Sequence, residues 1–493
     1  MMAHAAEERS CGAGYGVRPG GKEVIVSKDL RTFLDQIRKL GSDYFVTVRK
    51  ELDTKFEPCV IQQKLTAEKK YPVIYCEKIR GSKVPLVTNL FGSYELLGLA
   101  LGIEPGTPKN QILKSYRERI ARPIAPEEVS RDRAPVKEVV LKGDEVDLGS
   151  LPIVHHAEKD SGKYVTVGCL VVQDPETGTP NVGIYRHEVQ GKNLLGCMFN
   201  PAHHTGYIYR KYREMQRPME AVLFVGHHPA AVLGSLGRGL GGVTELEIMG
   251  ALLGEPLQLT KGETVGIPAP AFAEIAIEGF LDPARETADG PFAEYTGYYG
   301  PAKKPIGLMQ VTAVTMRKNP IYHDLDPAHR EHNLAGVLAF ESSVYDSVRK
   351  LVPTVTGVYM PPSGCCYFSA YVSIKKRVPG EGKGAGLAAL SADPNIRIVV
   401  VVDDDVDIYD EEQVLWAVAT RHEADGGLTV IPNITGAHLN PSSYGEVRTD
   451  RGPMTTKILI DATRPATRHF DERIVPPQEA WNRIRLDDYI SKG

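Results

Sequence analysis

Leu30, Phe33, Leu34, Ile37 and Leu40 recur at the three-and-four spacing of a single helix face. The pattern predicts a helix over Ser27–Gly41, with Ser27 as its cap and Gly41 as its stop. Further on, the polar, proline-rich run RPIAPEEVSRDRAPVK (Arg122–Lys137) reads as a linker. The middle third changes period. Val165–Gln173, Asn181–Gln190 and Leu194–Asn200 read as strands separated by the turn sequences DPETGTP and GKN, a β-meander that suggests a barrel or a curved sheet. A helix rich in Tyr and Arg is predicted from near His204, then a short strand at Val222–Val225. Thr244–Leu253 reads as a helix opened by a Thr244/Glu247 capping box, with Leu246, Met249, Gly250 and Leu253 along one face. Strand-like runs continue from Ala273–Gly279 to Leu308–Met316. In the last third, Ile396–His422 gives a buried strand, an acidic loop and an amphipathic helix in turn, the texture of an α/β unit.

At roughly 100–200 residues per domain, 493 residues predict two to four domains. A net charge of −4 supplies no basic field for nucleic acid. Apolar runs such as Ile398–Val402 fall far short of the ~20 residues of a membrane span. The opening MMAHAAEERSCGAGYGVRPGGK has no apolar core of a secretory signal and reads as a frayed arm. Cys11, Cys59, Cys76, Cys169, Cys197, Cys365 and Cys366 are odd in number and scattered, with no CxxC. That usage fits a reducing cytoplasm rather than a disulfide frame or a thiolate zinc site. The Cys365–Cys366 pair reads as small apolar residues in a turn after PPSG.

The candidate chemistry begins in ADGPFAEYTGYYG (Ala288–Gly300). Asp289 and Glu294 stand five residues apart around Gly290 and Pro291, among Phe292, Tyr295, Tyr298 and Tyr299. Apolar walls favour the protonated form of an acid, so this stretch suits a carboxyl group that delivers a proton. NVGIYRHEVQ places Asn181, Arg186, His187 and Glu188 in one strand, although a polar strand can also be solvated on one face. Asn181 and Arg186 differ in parity, so serving one site requires the strand to end or bulge between them, with Gly183 the plausible place. His203 and His204 are adjacent, and neighbouring histidines do not easily chelate one metal. GSLGRGLGGVTELEIMG (Gly234–Gly250) brings glycines to a helix N-terminus, as anion sites need, without a dinucleotide fingerprint. VVDDDVDIYD (Val401–Asp410) could ligate Mg²⁺, or could collect acids for helix capping alone. Serine nucleophile elbow, HExxH and Walker loop are all missing from the sequence. The polar loop NITGAHLNPSS (Asn433–Ser443) offers His438 to a substrate hydroxyl or ring nitrogen; a surface histidine is the plainer reading.

Taken together and in this order, NVGIYR, the NPAHHTG histidine, GVTELEIMGALLGE, PAPAFAEIAIEGF, DGPFAEYTGYY, IKK and VVDDDVDI…VLWAVATRH resemble the UbiD-type decarboxylases. That group includes 3-octaprenyl-4-hydroxybenzoate decarboxylase and ferulic acid decarboxylase. The likeness spans most of residues 20–470. It implies a mixed α/β (α+β) chain: a disordered arm over 1–22, an N-terminal α/β domain over 23–130, a central split β-barrel that binds the cofactor over 131–325, and a C-terminal α/β domain over 326–493. The last would mediate a homo-oligomer, a dimer or hexamer, in the cytoplasm.

The resemblance also implies prenylated FMN from a flavin prenyltransferase, with Mn²⁺ (or another divalent metal) and K⁺ at its phosphate. Asn181, His203 and Glu245 would be the metal ligands; Gly206, three residues on, favours His203 over His204. Asn181, Gly183, Ile184, Tyr185, Arg186, Ala202, His203, Glu245 and Lys375 would hold the cofactor, Lys375 at the phosphate. Arg186, Asp289 and Glu294 would be catalytic, although the family's first acid is usually Glu and Asp289 is shorter. The implied reaction is reversible, non-oxidative decarboxylation of an aromatic, heteroaromatic or α,β-unsaturated acid through a covalent adduct with prenylated FMN. Arg186 would hold the carboxylate and Glu294 would protonate carbon. The rival readings are a catalytically silent flavin-binding or assembly protein on the same fold, and a Mg²⁺-dependent hydrolase using Asp403 and Asp405.

Overall fold

The computed structural model describes residues 27–200, 203–239, 242–300, 302–443, 448–449, 452–465 and 469–490. The expected arm over 1–22 lies outside them. Helix α1 (Leu30–Arg38) buries Leu30, Phe33, Leu34 and Ile37, four of the five predicted positions. Leu40 falls beyond the helix end and is 38% exposed. The cap is Asp29 rather than Ser27. The Asp29 carboxylate accepts the Thr32 N–H at 2.8 Å, and the Thr32 hydroxyl accepts the Asp29 N–H at 2.9 Å. Ser27 is engaged elsewhere, donating to Glu255 at 2.9 Å.

Strands β1 (Phe45–Val48), β2 (Val73–Cys76) and β3 (Leu86–Thr88) form the first sheet, completed by Tyr322–His323 from much later in the chain. The predicted linker is a bound strap. Glu127–Glu128 pairs with Gln258–Thr260, the Ile124 N–H reaches the Glu247 carbonyl at 3.2 Å, and Lys137 is buried against Glu278 at 2.9 Å.

The middle sheet holds β4 (Tyr164–Val165), β5 (Cys169–Gln173), β6 (Pro180–Ile184), β7 (His187–Gly191), β8 (Leu194–Cys197), β9 (Met219–Val225), β10 (Ile275–Asp289) and β11 (Lys303–Met316). Their order is β4-β7-β8-β11-β10-β9-β5-β6, with Val139–Lys142 paired on β11. Two predicted strands are therefore each broken in two, at 166–168 and at Tyr185–Arg186. The second break answers the parity problem, two residues beyond Gly183. Its position fixes the shape of the sheet. Six inter-strand steps separate β7 from β6, roughly 29 Å if the sheet were flat. Three Cα–Cα steps from Ile184 to His187 reach at most about 11 Å. The sheet must curl until its two ends meet, and among the described residues the ends are joined by chain rather than by paired strands, the form of a split barrel.

Helix α2 (His204–Glu214) starts where predicted. Helix α3 (Glu245–Leu253) carries the Thr244/Glu247 capping box, with the Thr244 N–H and hydroxyl both 2.8 Å from the Glu247 carboxylate. The last sheet takes β12 (Val355–Tyr359), β13 (Ser369–Ile374), β14 (Ile398–Asp403), β15 (Leu428–Thr435) and β16 (Gly452–Ala462) in the order β12-β13-β14-β16-β15. β13, β14 and β16 run parallel, which requires crossover connections. Helix α4 (Glu381–Ala392) makes the first, and α5 (Glu411–Arg421) follows the acidic loop. Cys366 is buried and Cys365 partly so, in the turn after Pro362–Gly364.

Glu341 ties this last unit to the first sheet's helices. It accepts the Tyr94 hydroxyl at 2.6 Å and the Met360 N–H at 2.9 Å, and burial pushes its carboxyl up to about 8. The folded pKa lies above the ordinary 4.5, so the stability present below 4.5 is lost as pH rises to about 8. The loss runs at about 1.4 kcal/mol per pH unit. Glu341→Gln removes that dependence. In urea unfolding, the difference between variant and parent should move by about 2–3 kcal/mol in favour of Gln from pH 6 to pH 8. An unchanged difference would show that Glu341 stays ionised in the fold.

Candidate active site

The break between β6 and β7 puts Arg186 at the seam of the barrel. Asp289 is the last residue of β10, and Glu294 follows in a small hairpin of Phe292–Ala293 with Tyr299–Gly300 that continues the long β10–β11 hairpin. Both acids meet Arg186. Its Nε lies 3.2 and 3.1 Å from the two Asp289 oxygens, Nη2 donates to Asp289 Oδ2, and Nη1 donates to Glu294 Oε1. The side chains are 9% (Arg186), 0% (Asp289) and 4% (Glu294) exposed. Burial acts to lower the Arg186 pKa, and the charges and hydrogen bonds of the two acids outweigh it, holding it above its usual range.

The surroundings fix this set. The Arg186 guanidinium stacks over Phe292 at 4.6 Å, and Tyr164 packs on Phe292 at 4.6 Å. The Tyr164 hydroxyl accepts the Gly290 N–H at 3.2 Å, and Asp160 accepts the Ala293 N–H at 2.7 Å. A Cβ at Gly300 would stand 2.8 Å from Glu294 Oε1, so only glycine leaves the carboxyl its place.

Asn181 and Glu245 also meet. Glu245, at the start of α3, accepts the Asn181 amide and the Val182 N–H, both at 3.1 Å, while Thr205 donates to Asn181 Oδ1 at 2.6 Å. Burial raises the Glu245 pKa, and the charge of His204 acts against that rise. His203 lies beside Arg238, Asp393 and His438, with its pKa lowered chiefly by burial. His203 is the N-cap of α2 and His204 its first residue, one before Thr205, which itself binds Asn181. Among the described residues no three His, Cys, Asp or Glu side chains converge as a metal group.

Gly183, Ile184 and Tyr185 carry the backbone from Asn181 to Arg186. A Cβ on Gly183 would come within 2.7 Å of the Tyr185 hydroxyl, so the ring lies directly on that backbone. Ala202 lies outside the described residues. Lys375 is not brought here. It follows β13, whose opposite end carries Phe368 against Tyr295 at 6.0 Å; six strand residues put roughly 20 Å between those ends. His438 does approach, through its charge on His203.

Three residues of the site escaped the sequence reading. Tyr367 packs on Tyr295 at 4.7 Å, beside Phe368, and His332 meets Tyr295 at 5.9 Å. His332 Nδ1 sits 2.7 Å from the Pro327 carbonyl, and burial lowers the ring's pKa while Glu294 and Arg186 act on it from the site. Nothing in DPAHREHN marks one histidine over the other. The hydrolase reading fails on geometry. Arg421, 2% exposed, binds Asp403 at 2.8 Å and Asp405 at 2.7 Å, so a guanidinium stands where Mg²⁺ would be needed.

Family profiles for the 3-octaprenyl-4-hydroxybenzoate carboxy-lyase N-terminal domain, Rift-related domain and C-terminal domain match residues 41–120, 127–329 and 332–462. An anhydromevalonate phosphate decarboxylase of Methanosarcina mazei is 33% identical over 452 residues, 91% of this chain and 99% of the relative. The UbiD-class enzyme HmfF from Pelotomaculum thermopropionicum, solved in complex with FMN, is 38% identical with a TM-score of 0.86, covering 94% of this chain and all (100%) of the other. An evolved dimeric form of HmfF, in complex with prFMN, is 37% identical with a TM-score of 0.83 over 94% of this chain and 100% of its own.

Proposed function

Because the chain belongs to the UbiD family and is a decarboxylase, a carboxy-lyase, we propose that it catalyses reversible, non-oxidative decarboxylation of an aromatic, heteroaromatic or α,β-unsaturated acid with prenylated FMN as cofactor. The observation that carries this is the buried Arg186 held between Asp289 and Glu294 over the ring of Phe292. Arg186 binds the substrate carboxylate, and its planar fork suits a bidentate contact. Phe292, Tyr295, Tyr367 and Phe368 supply aromatic walls for a flat acid and exclude water. Asp289 keeps Arg186 oriented. Once CO₂ has left, Glu294 gives its proton to the carbon that carried the carboxylate, and recovers one from solvent. The reverse reaction takes the same proton off. The name of the Methanosarcina relative adds a phosphorylated acid to the substrates worth testing.

The residues fit the implied cofactor. Asn181, His203 and Glu245 would give the oxygen and nitrogen donors that suit Mn²⁺ or a similar divalent ion, with K⁺ alongside. Burial disfavours the charge of Glu245, the condition a bound cation relieves. Gly183 and Tyr185 offer a close backbone and ring face between that set and Arg186. When bound, the prenylated flavin supplies an electron sink for the pair left by departing CO₂. The protein's own part is to hold the acid, order the proton and keep water out.

The arrangement argues against a silent assembly protein, since a dead site has no need of two carboxyl groups buried on one arginine. We assign oligomerisation, as a dimer or hexamer, to the region from 326 onward. Among the described residues no helix is long and apolar enough to cross a membrane. Protein made in a host lacking any flavin prenyltransferase should be inactive, and co-expression of one should give activity, an altered visible spectrum and the cofactor mass of prenylated FMN. Full activity without the prenyltransferase would overturn this assignment.

A further inference from the structure

Arg397 precedes β14 on the side of the last sheet that faces the aromatic wall. Its N–H donates to the Phe368 carbonyl at 2.8 Å, and Phe368 packs on Tyr295. Its guanidinium is partly buried and has no Asp or Glu partner among the described residues. Nη1 donates to Asn440 Oδ1 at 3.0 Å, while the buried Nε meets no acceptor. Asn440 is 0% exposed. Its Oδ1 also takes the Ser442 N–H at 3.2 Å and the Ser442 hydroxyl at 3.0 Å. Three donors on that oxygen fix the amide's orientation, so Nδ2 is a donor, and it too is buried without a partner. Buried donors are rarely left unpaired in native structures. Two such donors, joined through one hydrogen bond and carrying one uncompensated positive charge, ask for an anion. His438 stands two residues before Asn440, and its charge reaches His203. The pair thus stands at the end of the last sheet where Phe368 meets Tyr295.

We propose that Arg397 and Asn440 form a subsite for a phosphate-type anion, distinct from the Arg186 carboxylate site. The anion belongs either to a flavin mononucleotide or to a second, phosphorylated end of the substrate. Planar guanidinium and amide N–H donors match the oxygens of a phosphate monoester. The subsite extends the decarboxylase reading, and binding measurements test it apart from turnover.

The test is calorimetric titration of purified parent, Arg397→Gln and Asn440→Asp with inorganic phosphate, FMN and riboflavin. Asn440→Asp places a carboxylate on Arg397, so it should keep or raise the melting temperature while expelling the anion. Inorganic phosphate should bind the parent, and both variants should bind it about tenfold more weakly or worse. If both also erase the preference for FMN over riboflavin, the flavin phosphate is the natural occupant. If that preference survives while phosphate binding is lost, the occupant is the substrate's own phosphate. Phosphate that fails to bind the parent, or binds parent and folded variants alike, overturns the subsite.

Discussion

Glu294→Gln should lower turnover by roughly 10²–10⁴-fold, the range typical of a lost general acid. Gln keeps the volume and the hydrogen bond to Arg186 Nη1 but brings no exchangeable acid proton. Gly300 leaves room for a side chain of this size and no more, so the local structure should hold. Flavin content and substrate binding should be unchanged, since neither depends on that proton. Asp289→Asn should cost less. Asp289 contacts Arg186 through Nε and Nη2 and acts by orienting it, and an amide oxygen preserves part of that contact. Steady-state and single-turnover rates on one accepted acid separate the two. Near-parental turnover in Glu294→Gln together with a dead Asp289→Asn would reverse the assignments.

Glu245→Ala should strip metal and flavin together. Removing partners that only orient metal ligands typically costs about 10–100-fold in metal affinity. Loss of a ligand carboxylate should exceed that. It would also free the Asn181 amide and the Val182 N–H, both of which Glu245 now holds. His203→Ala should behave like Glu245→Ala, whereas His204→Ala should retain more metal. Metal analysis and flavin absorbance of the purified variants decide it. Stoichiometric Mn²⁺ and flavin in Glu245→Ala would exclude this ligand set, and metal lost in His204→Ala but kept in His203→Ala would move the ligand to His204.

Much of the scaffold was legible because it is local. The face of α1, the α3 capping box and the strand–acid loop–helix order of the last sheet all follow from spacing within a dozen residues or so. What the sequence hid is tertiary. The break at Tyr185–Arg186 comes from the need to cross the barrel seam, and no glycine or proline marks it. Lys375 and Phe368 flank one short strand, and a strand's two ends serve different surroundings. His203 and His204 are adjacent, and α2 begins between them, with His203 as its N-cap and His204 as its first residue. Arg186, Asp289 and Glu294 were found because unlike side chains crowd into short stretches there. His332, Tyr367 and Arg397 were missed because each looks ordinary among its neighbours.

The two-residue crossing between β6 and β7 sets a rule for changing this chain's length. A surface turn such as DPETGTP, between β5 and β6, lies away from the seam and can absorb an added residue as slack. The crossing has no slack to give. One residue removed shortens its reach to about 7.6 Å at most, and one added turns the next side chain toward the other face. Either change would move the guanidinium off Asp289 and Glu294 while leaving every other contact of the barrel able to form. Length variation in this protein should therefore be tolerated at Asp174–Thr179 and fatal to activity, before stability, at Tyr185–Arg186.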